Sequence, residues 1–299
     1  MEILPYEPQM APGLAALYNS HIRGLPHCYG ARPEQLAAAL AGEEPGELAG
    51  RLRDPAAVVA LEDGVPVGFV HTAVEVQQEA EQLERGVVRF LLYDRGHRAA
   101  GQALLSAAED LLRGRGATCA VGFHQDYRLP FYHIGHAYLS DRLEHVHALM
   151  GINGYRRCAG EVYLDWPDHE PAPVVPAGRD VELRTQWLPG AGARDNLTVR
   201  AFVDGEPVGI CENRCCGEYS DSPEAQDWLL TKWLGVNEEY QGGGLGRQLL
   251  QTALNQMHEA GYRHAVISTS WTNHRACLFY SNCGYRCVDW TYAVEKKEL

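Results

Sequence analysis

The stretches Trp228-Leu-Leu-Thr-Lys-Trp-Leu234 and Gln241-Gly-Gly-Gly-Leu-Gly246 decide how this chain of 299 residues folds. The first is apolar and favours a strand, and the second is a glycine-rich turn. Apolar residues then recur at helical spacing and predict an amphipathic helix with one buried face. They are Leu249, Leu250, Ala253, Leu254 and Met257. Strand, turn and helix in this order indicate an α/β (α+β) fold.

The same order of elements occurs earlier in the chain, which indicates an internal repeat. The apolar segment 87–93 precedes the turn Arg95-Gly-His-Arg-Ala-Ala-Gly101 and another amphipathic helix. A hairpin turn, Asp63-Gly-Val-Pro-Val-Gly68, likewise returns as Asp204-Gly-Glu-Pro-Val-Gly209. Two copies of one α/β module are the simplest interpretation.

A proline-rich segment separates the two copies. Four prolines lie within 166–178, and such a segment can neither join a sheet ladder nor continue a helix. We therefore predict an N-terminal domain over 1–166, a linker over 167–179 and a C-terminal domain over 180–299.

Composition narrows the class of protein. No stretch approaches the roughly 18 uncharged apolar residues of a membrane span, and the start of the chain does not resemble a secretory signal. We therefore expect a cytoplasmic protein with no membrane partner. Acidic residues outnumber basic ones by 39 to 26, and a formal charge of -13 would repel a phosphate backbone, so no nucleic-acid partner is expected. Nine irregularly spaced cysteines favour reduced thiols.

The glycine-rich turn of the second copy is suited to bind an anion. Backbone N–H groups and the N-terminus of the following helix supply positive partial charge, and absent Cβ atoms let a pyrophosphate approach. A P-loop is excluded because no Lys-Ser or Lys-Thr follows, and a dinucleotide fingerprint would need a small residue where Leu249 stands. A flexible turn with glycines at the helix start is the alternative interpretation.

A second motif favours the anion-binding interpretation. The apolar strand 265–269 leads to Asn273-His-Arg-Ala-Cys-Leu-Phe-Tyr-Ser-Asn-Cys-Gly-Tyr285. Together with the Gln-x-x-Gly-x-Gly turn, this sequence resembles the GNAT superfamily of N-acetyltransferases. The resemblance covers 180–299 closely and 1–165 more loosely, and its tandem organisation is similar to that of mycothiol synthase. It implies two GNAT-like domains, each with a mixed, mostly antiparallel central sheet flanked by helices.

The resemblance also implies an activity. The cosubstrate would be acetyl-CoA, and the acceptor would be a primary amine of a small molecule. The coenzyme's pyrophosphate would rest on the amides of the glycine turn, and the end of the preceding strand would offer a backbone amide to the thioester carbonyl and an edge to the pantetheine arm. The implied coenzyme-binding residues are Leu234, Gly235, Val236, Gln241, Gly242, Gly243, Gly244, Leu245, Gly246, Arg247, Asn273 and Tyr280.

Tyr280 is the predicted catalytic residue. It occupies the position at which many family members carry the general acid for the leaving thiolate, and a phenol with a pKa of about 10 stays protonated at neutral pH. Packing in the core is the alternative, because residues 278–280 lie on an amphipathic helix. No general base is assigned: Glu212, Asp227 and Glu238 are candidates, but carboxylates in such positions are more often solvated surface groups.

The first copy departs from the family pattern. Ala99 stands where the second copy has Gly244, and Met150 lies opposite Tyr280. We therefore predict a structural role for this half, although the basic residues of its turn leave coenzyme binding open.

A run of histidines raises the question of a metal. His133 and His136 are spaced as on one helix face, and His145 and His147 follow. Gly135 weakens a helix there, and no acidic or cysteine partner has suitable spacing, so no metal site is predicted.

Two other functions stay open at this point. One is a noncatalytic acyl-CoA-binding or regulatory module, and the other is an acetyltransferase like mycothiol synthase. The acceptor cannot be read from one sequence, and both a monomer and a homodimer are compatible with it.

Overall fold

The computed structural model describes residues 1–42, 50–76, 84–127, 129, 131–135, 138–178 and 180–299. The chain divides into two compact units. Unit 1 comprises Met1–Glu161 and Asp289–Leu299, and unit 2 comprises Val162–Val288.

In its described residues, unit 1 contains six strands and four α-helices, together with the start of β7 (Arg156–Trp166) and the end of the last strand, β13 (Arg286–Lys296). Its strands are β1 (Glu2–Pro5), β2 (Leu52–Glu62), β3 (Val65–Glu75), β4 (Arg85–Tyr93), β5 (Cys119–Gly122) and β6 (Leu139–Ser140). Its helices are α1 (Ala11–Ile22), α2 (Pro33–Ala41), α3 (Arg98–Gly114) and α4 (Glu144–Ile152). The strand order is β1-β2-β3-β4-β5-β13, and the pairing is antiparallel except between β4 and β5.

Unit 2 repeats this plan with fewer helices. Its strands are β8 (Glu182–Leu188), β9 (Asn196–Val203), β10 (Glu206–Cys215), β11 (Trp228–Val236) and β12 (His264–Ser270). Its helices are α5 (Pro223–Gln226), α6 (Leu245–Glu259) and α7 (His274–Cys283). The strand order is β12-β11-β10-β9-β8, and β11 and β12 are the parallel pair.

The local sequence explains these elements. Asp204 and Gly205 both have positive φ, at 51° and 84°, and form the two-residue turn predicted between β9 and β10. The apolar stripe of α6 is buried as its spacing predicts. The mixed α/β fold with a mostly antiparallel sheet flanked by helices, predicted from the sequence, is confirmed.

The division of the chain differs from the predicted bounds at two places. The last eleven residues belong to unit 1, because Val294 of β13 pairs with Gly122 of β5. The proline-rich segment that was predicted as a linker belongs to unit 2, where its backbone is bonded to side chains of α6. In the described part of the chain, no helix has both the length and the apolar character that a membrane span requires.

Two glycines with positive φ allow a test of packing in unit 2. Gly284 ends α7 with φ +117°, and a Cβ there would lie 2.9 Å from the Trp166 ring, whereas a Cβ on Gly205 would meet no atom within 4 Å. We expect Gly205→Ala to lower the free energy of unfolding by about 1–2 kcal/mol, the cost of the left-handed backbone alone. We expect Gly284→Ala to lower it by about 1–3 kcal/mol more, because the indole must move.

Denaturant unfolding of both variants measures the difference. Equal losses would mean that Trp166 moves aside without cost and would contradict tight packing at this corner.

Candidate active site

Two parallel strands of unit 2 separate part-way along their length. β11 and β12 pair over Trp228–Leu230 and His264–Val266. Beyond these residues, no ladder joins the two strands in the described chain, although β11 continues to Val236 and β12 to Ser270. Backbone groups on the inner edge of β11 are thereby available to a ligand that adds to the sheet.

A β-bulge lies where the strands separate. Glu212 of β10 pairs with Trp233, but the next residue, Asn213, pairs with Thr231. Lys232 is therefore the additional residue of β11. A bulge generally bends its strand and increases the local twist, so this bulge favours the separation of β11 from β12.

A cleft of about 690 Å³ lies at this opening. It is formed by the end of β11, the glycine turn, the start of α6, one face of α7 and part of the proline-rich segment. The lining residues are Val175, Pro176, Leu234, Val236, Gln241, Gly242, Gly243, Gly244, Leu245, Gly246, Arg247, Asn273, Arg275, Ala276, Phe279 and Tyr280.

The structure brings the residues singled out from the sequence together in this cleft, with one exception. Gly235 does not line it, because side chains alternate along a strand and a Cβ on Gly235 would point to Trp233 instead. Sequence analysis did not identify Arg275, Ala276 and Phe279, although Ala276 lies one helical turn before Tyr280 and the spacing could have indicated it. It also did not identify Val175 and Pro176, which gave no signal beyond that of a linker.

The glycine turn leaves open space above its backbone. Gly242 and Gly244 have φ of +80° and +89°, which other residues rarely adopt. The backbone of Gly243 does not have a positive φ. A Cβ added to Gly242 or Gly243 would meet no protein atom within 4 Å. The first N–H groups of α6, which follows directly, have no partner within the helix. An anionic group of phosphate size therefore fits this turn.

The side chain of Gln241 holds the turn in place. Its Nε2 donates to the carbonyl oxygen of Val236 at 2.8 Å, and its Oε1 accepts from Nη1 of Arg275 at 3.0 Å. These bonds join the end of β11 to the first turn of α7. Both charged residues that line the cleft, Arg247 and Arg275, are cationic in a chain whose formal charge is -13. The local charge favours an anionic ligand.

Helix α7 begins with a side-chain cap. Oδ1 of Asn273 accepts a hydrogen bond from the backbone N–H of Ala276 at 3.1 Å. The capping interpretation of Asn273 is confirmed, while its contact with a coenzyme stays a prediction. The cap sets the position at which α7 starts and therefore the position of Tyr280 two turns later.

Tyr280 is both packed and adjacent to the cleft. Its side chain is 5% exposed, and its ring lies 5.0 Å from that of Phe279 and 5.7 Å from that of Tyr285, measured between centroids. Burial raises the pKa of Tyr280 above that of an ordinary phenol, and the thiols of Cys211 and Cys283 contribute in the same direction. The hydroxyl therefore keeps its proton at neutral pH and can donate it.

The three candidate carboxylates lie in different surroundings. Glu212 is half-buried on β10, opposite Trp233 beside the bulge. Asp227 forms an ion pair with Arg194 at 2.9 Å, and Glu238 is exposed. Glu212 is the candidate whose strand position is nearest to the opening of β11.

A family comparison bears on this geometry. Residues 161–285 match the family Acetyltransferase (GNAT). The segment that matches this family is called the GNAT domain from here on. Over 120 residues the chain is 28% identical to aminoglycoside N(6′)-acetyltransferase type 1 of Stenotrophomonas maltophilia, a match that spans 40% of this chain and 72% of that protein.

Solved structures extend the likeness to the whole chain. A tandem GNAT protein from the clavulanic acid biosynthesis pathway has a TM-score of 0.68 at 16% identity, with 98% of this chain and 97% of that one covered. A GCN5-related N-acetyltransferase from Sphaerobacter thermophilus has a TM-score of 0.62 at 16% identity, with 99% and 95% covered. At these identities the likeness shows a shared fold, and the predicted resemblance to tandem GNAT proteins is confirmed.

In the other GNAT-like unit, unit 1, a tyrosine occupies the strand end that corresponds to the end of β11. Tyr93 ends β4, and a Cβ on Gly101 would lie 2.7 Å from its ring. The hydroxyl of Tyr93 donates to the carbonyl oxygen of His145 at 2.8 Å. In the GNAT domain of unit 2, the same position next to Gly246 holds the smaller Val236, whose Cγ2 would lie 3.8 Å from such a Cβ. This contrast agrees with the structural role predicted for the first copy.

The histidines of unit 1 take part in other contacts. Nε2 of His145 lies 3.0 Å from the carbonyl oxygen of Tyr93, and Nε2 of His147 lies 3.2 Å from that of Leu139. His133 is buried, and His136 lies outside the described residues. Within the described ranges, no group of three side chains is arranged to hold a metal ion.

The cap of α7 gives a test of this site. We expect Asn273→Ala to lower the free energy of unfolding by about 0.5–2 kcal/mol, because the N–H of Ala276 loses its acceptor. Asn273→Asp keeps an acceptor oxygen at the helix N-terminus and serves as the matched control. Denaturant unfolding compares the two variants, and equal destabilisation by both would contradict the capping role.

Proposed function

We propose that this chain transfers the acetyl group of acetyl-CoA to a primary amine of a small-molecule acceptor. The observation that carries the proposal is the cleft of the GNAT domain. It combines an open glycine turn at a helix N-terminus, two arginines and a strand edge that has separated from its parallel neighbour. The first two features suit a pyrophosphate, and the third suits an extended amide-containing arm.

Different residues of the cleft would bind different parts of the coenzyme. Backbone amides from Gln241 to Arg247 would receive the pyrophosphate, and Arg247 and Arg275 would balance its charge. Backbone groups of Leu234 and Val236 would pair with the pantetheine arm. When bound, acetyl-CoA supplies a thioester whose acetyl group is transferred to the amine.

The chain's own residues would supply two of the groups that acyl transfer needs. A backbone N–H near the end of β11 donates a hydrogen bond to the carbonyl oxygen on which negative charge develops. Tyr280, which lines the cleft, would carry a proton at its Oη at neutral pH and would deliver it to the departing sulfur. The third group, a base for the amine, is unassigned, and Glu212 is its first candidate.

A cationic acceptor is favoured by two observations. The formal charge of -13 raises the local concentration of cations. The relative from Stenotrophomonas maltophilia is named for acetylation of aminoglycosides. The acceptor class therefore proposed is a small molecule with several amines. Cytoplasmic location and a monomeric or homodimeric state stay predictions.

Binding of coenzyme A is the first test. We expect calorimetry to give one site per chain, because the turn of unit 1 has Ala99 in place of Gly244 and Tyr93 in place of Val236 at the preceding strand end. Gly243→Ala should weaken binding about tenfold or more, because its Cβ would enter the space left for a phosphate and lengthen strong hydrogen bonds. Gly151→Ala is the matched control, since a Cβ there meets no atom within 4 Å and lies outside the cleft.

Each result has a separate meaning. Two sites per chain would contradict the structural role of unit 1. No binding heat and no other sign of binding by the unmodified protein would remove the proposed function.

Tyr280→Phe tests the proton donor. We expect kcat to fall about 100-fold, while the Kd of coenzyme A changes little because the ring and its packing remain. Acceptor-dependent release of thiol, measured with a panel of amines that includes aminoglycosides, reports the turnover. An unchanged kcat would remove Tyr280 from the role of acid. Coenzyme binding without any acceptor-dependent thiol release in the unmodified protein would favour a noncatalytic acyl-CoA-binding module instead.

A further inference from the structure

The proline-rich segment His169–Gly178, called the strap from here on, runs along helix α6. Three of its residues are prolines and have no backbone N–H, so it has few donors of its own. The order of its contacts is antiparallel to the helix, because later strap residues meet earlier residues of α6. The strap is therefore a fixed part of unit 2 and not a flexible connection.

A row of amide side chains on α6 binds the backbone of the strap. Gln248, Gln251 and Asn255 are spaced by three and four residues, so they lie on one face of the helix. Their oxygens accept hydrogen bonds from three backbone N–H groups. These bonds are Ala177 to Gln248 at 2.9 Å, Val175 to Gln251 at 3.2 Å and Ala172 to Asn255 at 3.2 Å. Asn255 also donates to the carbonyl oxygen of Ala172 at 2.8 Å.

Both ends of the strap are held as well. His169 is 1% exposed, and its Nδ1 lies 3.0 Å from the carbonyl oxygen of Arg263. At the other end, the N–H of Gly178 donates to the carbonyl oxygen of Gly243 at 3.0 Å. The strap thus ends on the glycine turn itself.

Two strap residues face the cleft of the GNAT domain. Val175 and Pro176 line it, and Val175 is 55% exposed. The next residue, Ala177, has its Cα 4.0 Å from the position that a Cβ on Gly244 would take. The strap therefore forms an apolar wall beside the turn that is proposed to hold the pyrophosphate.

We propose that this wall contacts the nucleoside half of coenzyme A, with Val175 and Pro176 as binding residues and Gln248, Gln251 and Asn255 as positioning residues. The inference rests on the proposed function. The pantetheine half would occupy the end of the cleft formed by β11 and Tyr280, so the nucleoside half must leave the turn in another direction. An apolar surface beside two arginines suits a nucleobase that carries a phosphorylated ribose.

The experiment compares two ligands and two neighbouring valines. Coenzyme A contains the nucleoside half, and 4′-phosphopantetheine lacks it. Val175→Asp replaces a lining residue, whereas Val174→Asp places the same charge on the adjacent residue, which is 37% exposed and does not line the cleft. Both side chains are exposed, so neither variant removes a core contact.

We expect Val175→Asp to raise the Kd of coenzyme A about tenfold, measured by calorimetry, because the apolar contact with the nucleobase is lost and a hydrated carboxylate takes its place. The Kd of 4′-phosphopantetheine should rise by less than about twofold, and Val174→Asp should change neither value by more than that. Equal effects of the two aspartates, or equal weakening of both ligands, would overturn the proposal.

Asn255→Ala tests the positioning of the strap without a change in the cleft lining. It removes both bonds to Ala172, and we expect a weaker affinity for coenzyme A with an unchanged affinity for 4′-phosphopantetheine. Hydrogen exchange of the strap amides should become faster in the same variant. Faster exchange with an unchanged affinity for coenzyme A would show that the bonds between Asn255 and Ala172 stabilise the strap but do not affect the binding of coenzyme A. This result would overturn the positioning role of Asn255.

The outcomes distinguish a failure of this inference from a failure of the proposed function. Failure of the unmodified protein to bind coenzyme A would remove the proposed function. Normal binding of coenzyme A by both the unmodified protein and Val175→Asp would remove only the role of the strap.

Discussion

The site depends on the loss of pairing between two parallel strands. After Leu230 and Val266, β11 and β12 share no ladder in the part of the chain that the structure describes, and β11 carries a bulge at Lys232. A strand edge with unpaired amides is a surface to which a further extended segment or a ligand can add. The cleft, the exposed backbone of β11 and the access to Tyr280 all follow from this one departure from regular pairing.

The two units show how side chains decide whether such an opening becomes a site. Unit 1 also has a parallel pair, β4 and β5, and a bulge at Arg89. There, Tyr93 lies against Gly101, and Arg89 is buried with its Nε donating to the carbonyl oxygen of Tyr127 at 2.7 Å. Unit 2 has Val236 in place of the tyrosine and an exposed Lys232 in place of the buried arginine. One backbone plan therefore serves packing in one unit and offers a cleft in the other.

The strap adds a contribution that the repeated plan alone does not supply. A helix face with three amide side chains could be solvated, but here those amides satisfy the backbone of a proline-rich segment. The prolines reduce the number of backbone N–H groups in the segment. The side-chain amide oxygens of α6 accept hydrogen bonds from three of the N–H groups that remain. A stretch with the composition of a linker thereby gains a defined place next to the glycine turn.

The sequence by itself determined the fold class, the internal repeat, the glycine turn and the helix with Asn273 and Tyr280, because these depend on local periodicity, turn chemistry and capping. It also indicated that the turn of the first copy is altered. Only the tertiary structure decided that Gly235 faces away from the cleft, that Tyr93 packs against Gly101 in unit 1 and that Val175 and Pro176 line the cleft of unit 2. These facts depend on strand direction, on the pleat and on contacts between residues far apart in the chain. A proline-rich composition excludes helices and central strands, but it does not specify the surface on which such a segment lies.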